Sequence, residues 1–473
     1  MNLLADLQVA LPEVTLAGFG LAGLLIGAIG GEKSSGLLRF FSVVALGVAA
    51  VTCFLQFSQG TAEAFNGLYR VTPFLLFAKA ATYAFAAFSL FMSGASLKKS
   101  SMERYEYALL TVFASTGAGM MLSANDLMTL YVGIEMLSLA SYVLAAFNRD
   151  SMKSSEAGLK YFVLGALASG LLLYGASLVY GFAGDTRYAV IAASEVSVGL
   201  IFGLVLMICG LAFKASAAPF HIWTPDVYEG APTPVVGFFA TAPKIASVAV
   251  LAHVMFVTFG PHEESWRMVI AIIAALSMLI GAFGALLQNS LKRILAYSSI
   301  SNVGFALIGV AAGADFGAAS VLFYMTLYAI ATLGLFGGLL TLRRDGAPVD
   351  DVSDLNGLFR TKPGVALGLV ILIFSVAGIP PMAGFFGKYQ VLLAGLSADL
   401  LWLVLIGLLS SVVALGYYLR LVWAMMMKAP GEPLDRTDIS VAATVFASSI
   451  LIFPVLTVGI QTLLSAAQRA TVG

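Results

Sequence analysis

Four ionisable residues lie inside apolar stretches that water should not reach: Glu135, Lys214, Lys244 and Lys388. A charge at bilayer depth costs at least ~2.5–3.5 kcal/mol on insertion scales, so each of these residues demands a functional explanation. Glu135 stands nine residues into its apolar run and Lys244 ten residues into another. By helix rise both are ~14 Å deep, near the middle of a bilayer. A lysine stem cannot reach water from there, so snorkelling fails for Lys244. Snorkelling does fit Lys79, six residues into its run, and Arg420, near the end of its own. A structural ion pair would use Glu135 with one lysine and leave two amines over.

Lysine is an informative choice. Desolvation disfavours the charged amine, which brings both protonation states within reach near neutral pH. A guanidinium stays charged and could not do this. A row of buried amines gated by one carboxylate is suited to passing protons one at a time. Protonating one amine lowers its neighbour's proton affinity by like-charge repulsion. Moving the partnership of Glu135 toward or away from Lys214 would load or unload that lysine. His221 is the candidate link from this row to water.

Two of the lysines stand beside helix breakers. Pro219 follows Lys214 by five residues, and Gly378-Ile379-Pro380-Pro381-Met382-Ala383-Gly384 precedes Lys388. As one helix the apolar stretch 364–397 would be ~51 Å long, against a hydrocarbon core of ~30 Å. The prolines end the helix inside the stretch, and the backbone carbonyls so freed must face protein or water.

The elements that must hold these residues are membrane-spanning helices. Of 473 residues 60% are hydrophobic and 11% are charged, whereas a soluble domain has about a quarter charged. Fourteen spans are expected, near 12–30, 37–57, 73–95, 107–124, 126–147, 158–182, 196–219, 234–258, 268–287, 291–312, 319–342, 364–397, 401–427 and 440–464. One set of connections carries sixteen Lys and Arg, the opposite set with both termini carries four, and the remaining five lie in spans. The positive-inside rule then puts the rich side in the cytoplasm and both termini outside. No positively charged segment precedes the first run, so a cleavable signal is not expected.

The fifth and tenth spans begin alike, Asn125-Asp126-Leu127 and Asn289-Ser290-Leu291, and enter from opposite sides. That points to two inverted five-helix repeats with the site near the midplane. The expected organisation is a single membrane domain over 1–473. Within it lie three N-terminal helices (1–95), a first repeat (107–258), a second repeat (268–427) and a last helix (440–464). The fold class is all-α integral membrane, with the seventh and twelfth helices discontinuous.

Other chemistries find no support. Cys53 and Cys209 sit alone, without metal-ligand spacing. Gly18-Phe19-Gly20 lies in mid-span with no strand before it, so it is not a dinucleotide loop. The net charge is zero, which gives no footprint for nucleic acid.

The run Lys214-Ala-Ser-Ala-Ala-Pro219-Phe220-His221-Ile222-Trp223-Thr224-Pro225-Asp226-Val227-Tyr228-Glu229-Gly230-Ala231-Pro232-Thr233-Pro234 resembles the central motif of the antiporter-like membrane subunits of respiratory complex I. The Glu135 span, Thr241-Ala242-Pro243-Lys244, and Gly378-Ile379-Pro380-Pro381 with Gly387-Lys388 extend the resemblance over nearly the whole chain. Of three such subunits, one is expected to carry a glutamate where this chain has Lys388. Another continues into a long lateral helix, whereas this chain stops at Gly473. Tyr228-Glu229-Gly230-Ala231-Pro232 is similar to the third, the counterpart of mitochondrially encoded subunit two.

The resemblance implies outward proton movement while NADH reduces quinone in other subunits. Glu135 and Lys214 would form the coupling pair, Lys244 the central relay and Lys388 the exit-side lysine. It implies no cofactor on this chain, with NADH, FMN, iron–sulfur clusters and quinone handled by other subunits of the enzyme. The implied partners are neighbouring antiporter-like and small membrane subunits and the lipid bilayer. The implied location is a bacterial inner membrane. Two other readings stay open: a subunit of a multisubunit sodium/proton antiporter, and a membrane scaffold whose charges are structural.

Overall fold

The computed structural model describes residues 3–471 and is helical almost throughout. The principal helices are α1 Leu11–Gly30, α2 Ser35–Gln56, α3 Pro73–Lys99, α4 Tyr105–Leu122, α5 Leu127–Ala145 and α6 Met152–Ala183. There follow α7 Val198–Ala215, α8 Trp223–Gly230, α9 Thr233–Phe239, α10 Ala242–His253, α11 Glu263–Leu286 and α12 Leu291–Ala311. The last are α13 Gly313–Leu340, α14 Pro363–Ala377, α15 Ala383–Ser397, α16 Leu401–Met427, α17 Ile439–Ile450 and α18 Ile460–Arg469. A small hairpin, β1 Ala62–Ala64 and β2 Tyr69–Val71, joins α2 to α3.

Among the described residues, eleven helical stretches are long and apolar enough to cross a membrane. Three features separate this number from fourteen. The α1–α2 pair runs on through a 3-10 turn at Gly31–Ser34 and forms one stretch, Leu11–Gln59. Helix α4 opens on Tyr105-Glu106-Tyr107 and is less apolar. Helices α14 and α15 have 15 residues each, ~22 Å, too short to cross alone.

Prolines set where helices stop. Continuing a helix past proline would clash its ring with the carbonyl four residues earlier and lose a hydrogen bond. Helix α7 ends at Ala215, four before Pro219, and α14 ends at Ala377, four before Pro381. The same spacing interrupts two stretches that the sequence reading took as continuous. In the eighth, α9 ends at Phe239, four before Pro243. In the last, α17 ends at Ile450, four before Pro454, and Phe453 is extended at φ −150°, ψ 119°. The expected 440–464 helix is therefore two helical pieces around a kink.

The centre is formed by the stretch containing α9 and α10 and by α12, each 94% buried over its most apolar window, whereas the α1–α2 stretch is 33% buried. Large apolar side chains such as Ile29, Phe54 and Val412 face outward, as lipid contact requires. Between helices, where lipid removes the hydrophobic drive, close backbone approach takes over. A methyl on Gly117 of α4 would strike the backbone of Leu137, and one on Gly133 of α5 would strike Met121. Those two glycines seat α5, which carries Glu135, directly on α4.

Candidate functional site

Helix α5 starts at a strong cap: the Asp126 carboxylate accepts the N–H groups of Met128 at 2.8 Å and Thr129 at 3.1 Å. Glu135 follows two and a half turns on, half-buried, and accepts the hydroxyl of Ser169 from α6. One turn further, Ser138 accepts the Lys214 amine, and Tyr142 accepts it at 3.3 Å. Glu135 and Lys214 are thus not in direct contact. The amine is taken instead by Ser138, one turn beyond Glu135 on the same helix.

Lys214 is the last but one residue of α7, and beyond it Ser216 turns into the left-handed region at φ 64°. Lys244, the third residue of α10 and 2% exposed, reaches back to this turn. Its amine donates to the Ala215 carbonyl at 3.0 Å and to the Ser216 hydroxyl, and lies 5.6 Å from the centre of the Trp223 ring. In an unbroken helix the Ala215 carbonyl would accept the N–H of residue 219. That residue is proline and has no N–H. Lys244 supplies the missing donor.

The twelfth stretch repeats the arrangement. Gly378 takes φ 83°, and the Lys388 amine donates to the Ala377 carbonyl at 3.0 Å, the acceptor left vacant by Pro381. Lys388 is 6% exposed and lies 4.7 Å from the centre of the Phe305 ring. A methyl on Gly378 would come within 2.8 Å of Lys388 Cδ, so this glycine meets both a positive φ and a close approach. Pro380 lies in the same connection. No described carboxylate forms an ion pair with Lys214, Lys244 or Lys388.

His221 lies in the connection between α7 and α8, half-buried, its Nδ1 enclosed without a protein partner. It is not hydrogen-bonded to Lys214 or Lys244; those amines spend their described donors elsewhere.

Near the second break lies a set of buried polar groups that the apolar pattern alone does not reveal. Ser298 and Tyr418 share a hydrogen bond of 2.6 Å, the Asn302 amide donates to the Ser298 carbonyl at 2.7 Å, and Tyr324 donates to Asn302 Oδ1 at 2.7 Å. One turn past Asn302, Phe305 is the ring against Lys388. The signal was present in the run Ser298-Ser299-Ile300-Ser301-Asn302, polar in the middle of an apolar helix.

Lys79 corrects the sequence reading outright. It does not snorkel: its side chain is fully buried and pairs with Glu13 at 2.7 Å. Position along a span gives reach to water but not the presence of Glu13 on the neighbouring helix α1.

A family model described as NADH:quinone oxidoreductase/Mrp antiporter, TM, matches residues 124–414, which includes Glu135, both lysine-bearing breaks and Lys244. The NADH-quinone oxidoreductase subunit N of Hirschia baltica is 58% identical over 461 residues, 97% of each chain. A chain of respiratory complex I from Thermus thermophilus, solved with bound aureothin, superposes with a TM-score of 0.85 at 31% identity, covering 96% of this chain and 99% of that one. A chain of the Mrp complex from Dietzia sp. shares the fold at a TM-score of 0.89 and 22% identity, covering 100% and 97%. The chain belongs to the family of antiporter-like membrane subunits of NADH:quinone oxidoreductase, in its subunit N group.

Proposed function

We propose that the chain passes protons across a bacterial inner membrane along Glu135, Lys214, Lys244 and Lys388, driven by quinone reduction in other subunits of the complex. The observation that carries this is the paired use of lysine at two proline breaks. Each amine fills a carbonyl that proline left free, and neither is ion-paired with a described carboxylate. A carbonyl at a helix C-terminus favours a nearby cation through the helix dipole. It still stays satisfied by a neutral amine, which keeps an N–H to donate. Such a lysine can lose its proton without losing its place.

In this scheme Glu135 accepts from Ser169 in the present arrangement, while Lys214 is held by Ser138, one turn from the carboxylate. A shift of the Glu135 side chain toward Lys214 would stabilise the charged amine, and its return would release the proton toward Lys244. The Ala215–Ser216 turn connects the two lysines, and the Ser298–Asn302 groups lead on toward Lys388 as the exit-side amine. His221, with an unfilled ring nitrogen, serves as the link to water.

The wider arrangement is part of the proposal. Fourteen crossings place both termini on the periplasmic side, and residues 107–258 and 268–427 form two inverted repeats behind three N-terminal helices and ahead of the 440–464 segment. The chain is a non-redox subunit: NADH, FMN, iron–sulfur clusters and quinone belong to other subunits, and its neighbours are antiporter-like and small membrane subunits.

Substituting Arg for Lys214 keeps the charge and removes the exchangeable amine. In assembled complex reconstituted into vesicles, Lys214→Arg and Lys244→Met should reduce proton pumping at least tenfold relative to the parent. Parent-level pumping by both would overturn the reading. Co-purification through a tag on this chain separates it from sodium/proton antiport, since a flavin- and iron–sulfur-bearing dehydrogenase should come with it.

A further inference from the structure

The first three helices have no part in the lysine row, yet they hold a buried charge pair in which each described donor of the amine has an acceptor. Glu13 of α1 accepts the hydroxyl of Tyr69 on one oxygen, and the hydroxyl of Tyr83 together with the Lys79 amine on the other. Lys79 of α3 places its three N–H groups on Glu13 at 2.7 Å, the Tyr69 hydroxyl at 2.8 Å and the Ser123 hydroxyl at 3.0 Å. Glu13 is 5% exposed and Lys79 0%. Room for the carboxylate and the Tyr83 hydroxyl is made by Gly119, where a methyl would overlap both.

This is the opposite of the row. Lys214, Lys244 and Lys388 donate to neutral groups, whereas Lys79 has a carboxylate and every donor filled. A buried pair so saturated resists loss of its proton, since either partner left alone would be an uncompensated charge. Lys79 therefore acts as a fixed charge, and its third donor identifies what it fixes. Ser123 closes α4 and opens the short turn into α5. The Ser123 carbonyl accepts the Arg70 N–H at 2.8 Å, the Asn125 N–H donates to the Leu68 carbonyl at 3.0 Å, and the Asn125 side chain donates to the Gly67 carbonyl at 2.7 Å. The next residue, Asp126, caps α5. Beside these bonds from the β2 segment, the hydrogen bond from Lys79 to Ser123 ties the α1–α3 charge pair to the start of the helix that carries Glu135.

We infer that the Glu13–Lys79 pair is a static latch through which the N-terminal helices set the position of α5, making Lys79 and Ser123 positioning residues for Glu135. The inference rests on the proposed role of Glu135, and its test reads the two separately. Ser123→Ala removes the Lys79 tie, keeps the backbone bonds of the turn and leaves the ion pair intact. In the whole purified complex it should speed amide hydrogen exchange across residues 124–131 at least tenfold. It should also lower protons pumped per quinone reduced to half or less, with quinone reduction retained. Ser123→Thr, which keeps the hydroxyl, should restore both. Unchanged exchange and pumping in Ser123→Ala would overturn the latch. The paired Glu13→Gln, Lys79→Met variant has no group left to titrate and should match Ser123→Ala. If it loses pumping while Ser123→Ala does not, the pair exchanges protons and the positioning role is wrong. If the paired variant fails to assemble, the Ser123 variants decide alone. Glu135→Gln should abolish pumping without faster exchange. Normal pumping there defeats the role of Glu135 and leaves the latch to the exchange measurement.

Discussion

Lys388 donates to the carbonyl of Ala377 at 3.0 Å, in the place where the N–H of residue 381 would stand if that residue were not proline. The break and the lysine are therefore one device. Pro381→Ala supplies a competing backbone donor and removes the ring that stops α14. The expected outcome is partial closure of the helix and displacement of the amine. Pumping by reconstituted complex should fall several-fold, while the assembled complex keeps its melting temperature within a few degrees. Unaltered pumping would separate the lysine's function from the break.

Ser138, one turn beyond Glu135, holds the Lys214 amine, and that gives a second prediction. A hydrogen bond to a charged group contributes about 1.5–3 kcal/mol. Ser138→Ala leaves Lys214 with only the Tyr142 hydroxyl at 3.3 Å. Proton pumping should drop by about tenfold, in line with 1.4 kcal/mol per decade. Tyr142→Phe should have the smaller effect, because its hydrogen bond is longer. An equal or reversed order, read from initial rates of acidification in vesicles, would show that Ser138 is not the link.

The legible and illegible parts of this chain divide along a physical line. Proline lacks an N–H wherever it stands, so Pro219 and Pro381 announced their breaks without a structure. The same rule applied to Pro243 and Pro454 would have revealed the stops at Phe239 and Ile450. Apolar runs announced the helices because the bilayer permits little else. Partners were different. Whether Lys79 meets water or Glu13 depends on which helix lies beside α3, and no periodicity in one segment encodes that. Ser169, Ser216 and Tyr324 were missed for the same reason: a lone hydroxyl in an apolar run looks ordinary until a charge is found against it.

Asn302 joins the two halves of the buried polar set. Its amide donates to the Ser298 carbonyl at 2.7 Å, and its Oδ1 accepts from Tyr324 at 2.7 Å. Asn302→Leu has similar volume and no polar atom, so it interrupts this set and strands the Tyr324 hydroxyl. If protons reach Lys388 by this route, pumping should fall by about tenfold or more, with a stability loss of only about 1–3 kcal/mol for the unpaired hydroxyl. Full pumping in an assembled Asn302→Leu complex would place the path elsewhere.

The Glu13–Lys79 pair makes a prediction about stability that differs in kind. Desolvation of two charges offsets most of their attraction, so the intact pair adds little net stability, whereas removing one partner leaves a bare buried charge. Lys79→Met strands the Glu13 carboxylate with only two tyrosine hydroxyls, and should destabilise by about 3–5 kcal/mol. Glu13→Gln strands the ammonium, which keeps Tyr69 and Ser123 as acceptors, and should cost a similar amount. Combining the two removes both charges and should recover most of the loss, so the effects will be strongly non-additive. Thermal inactivation of the detergent-solubilised complex measures all three against the parent. Additive losses would mean that the two side chains contribute independently, and that the 2.7 Å contact between them does not couple their energies.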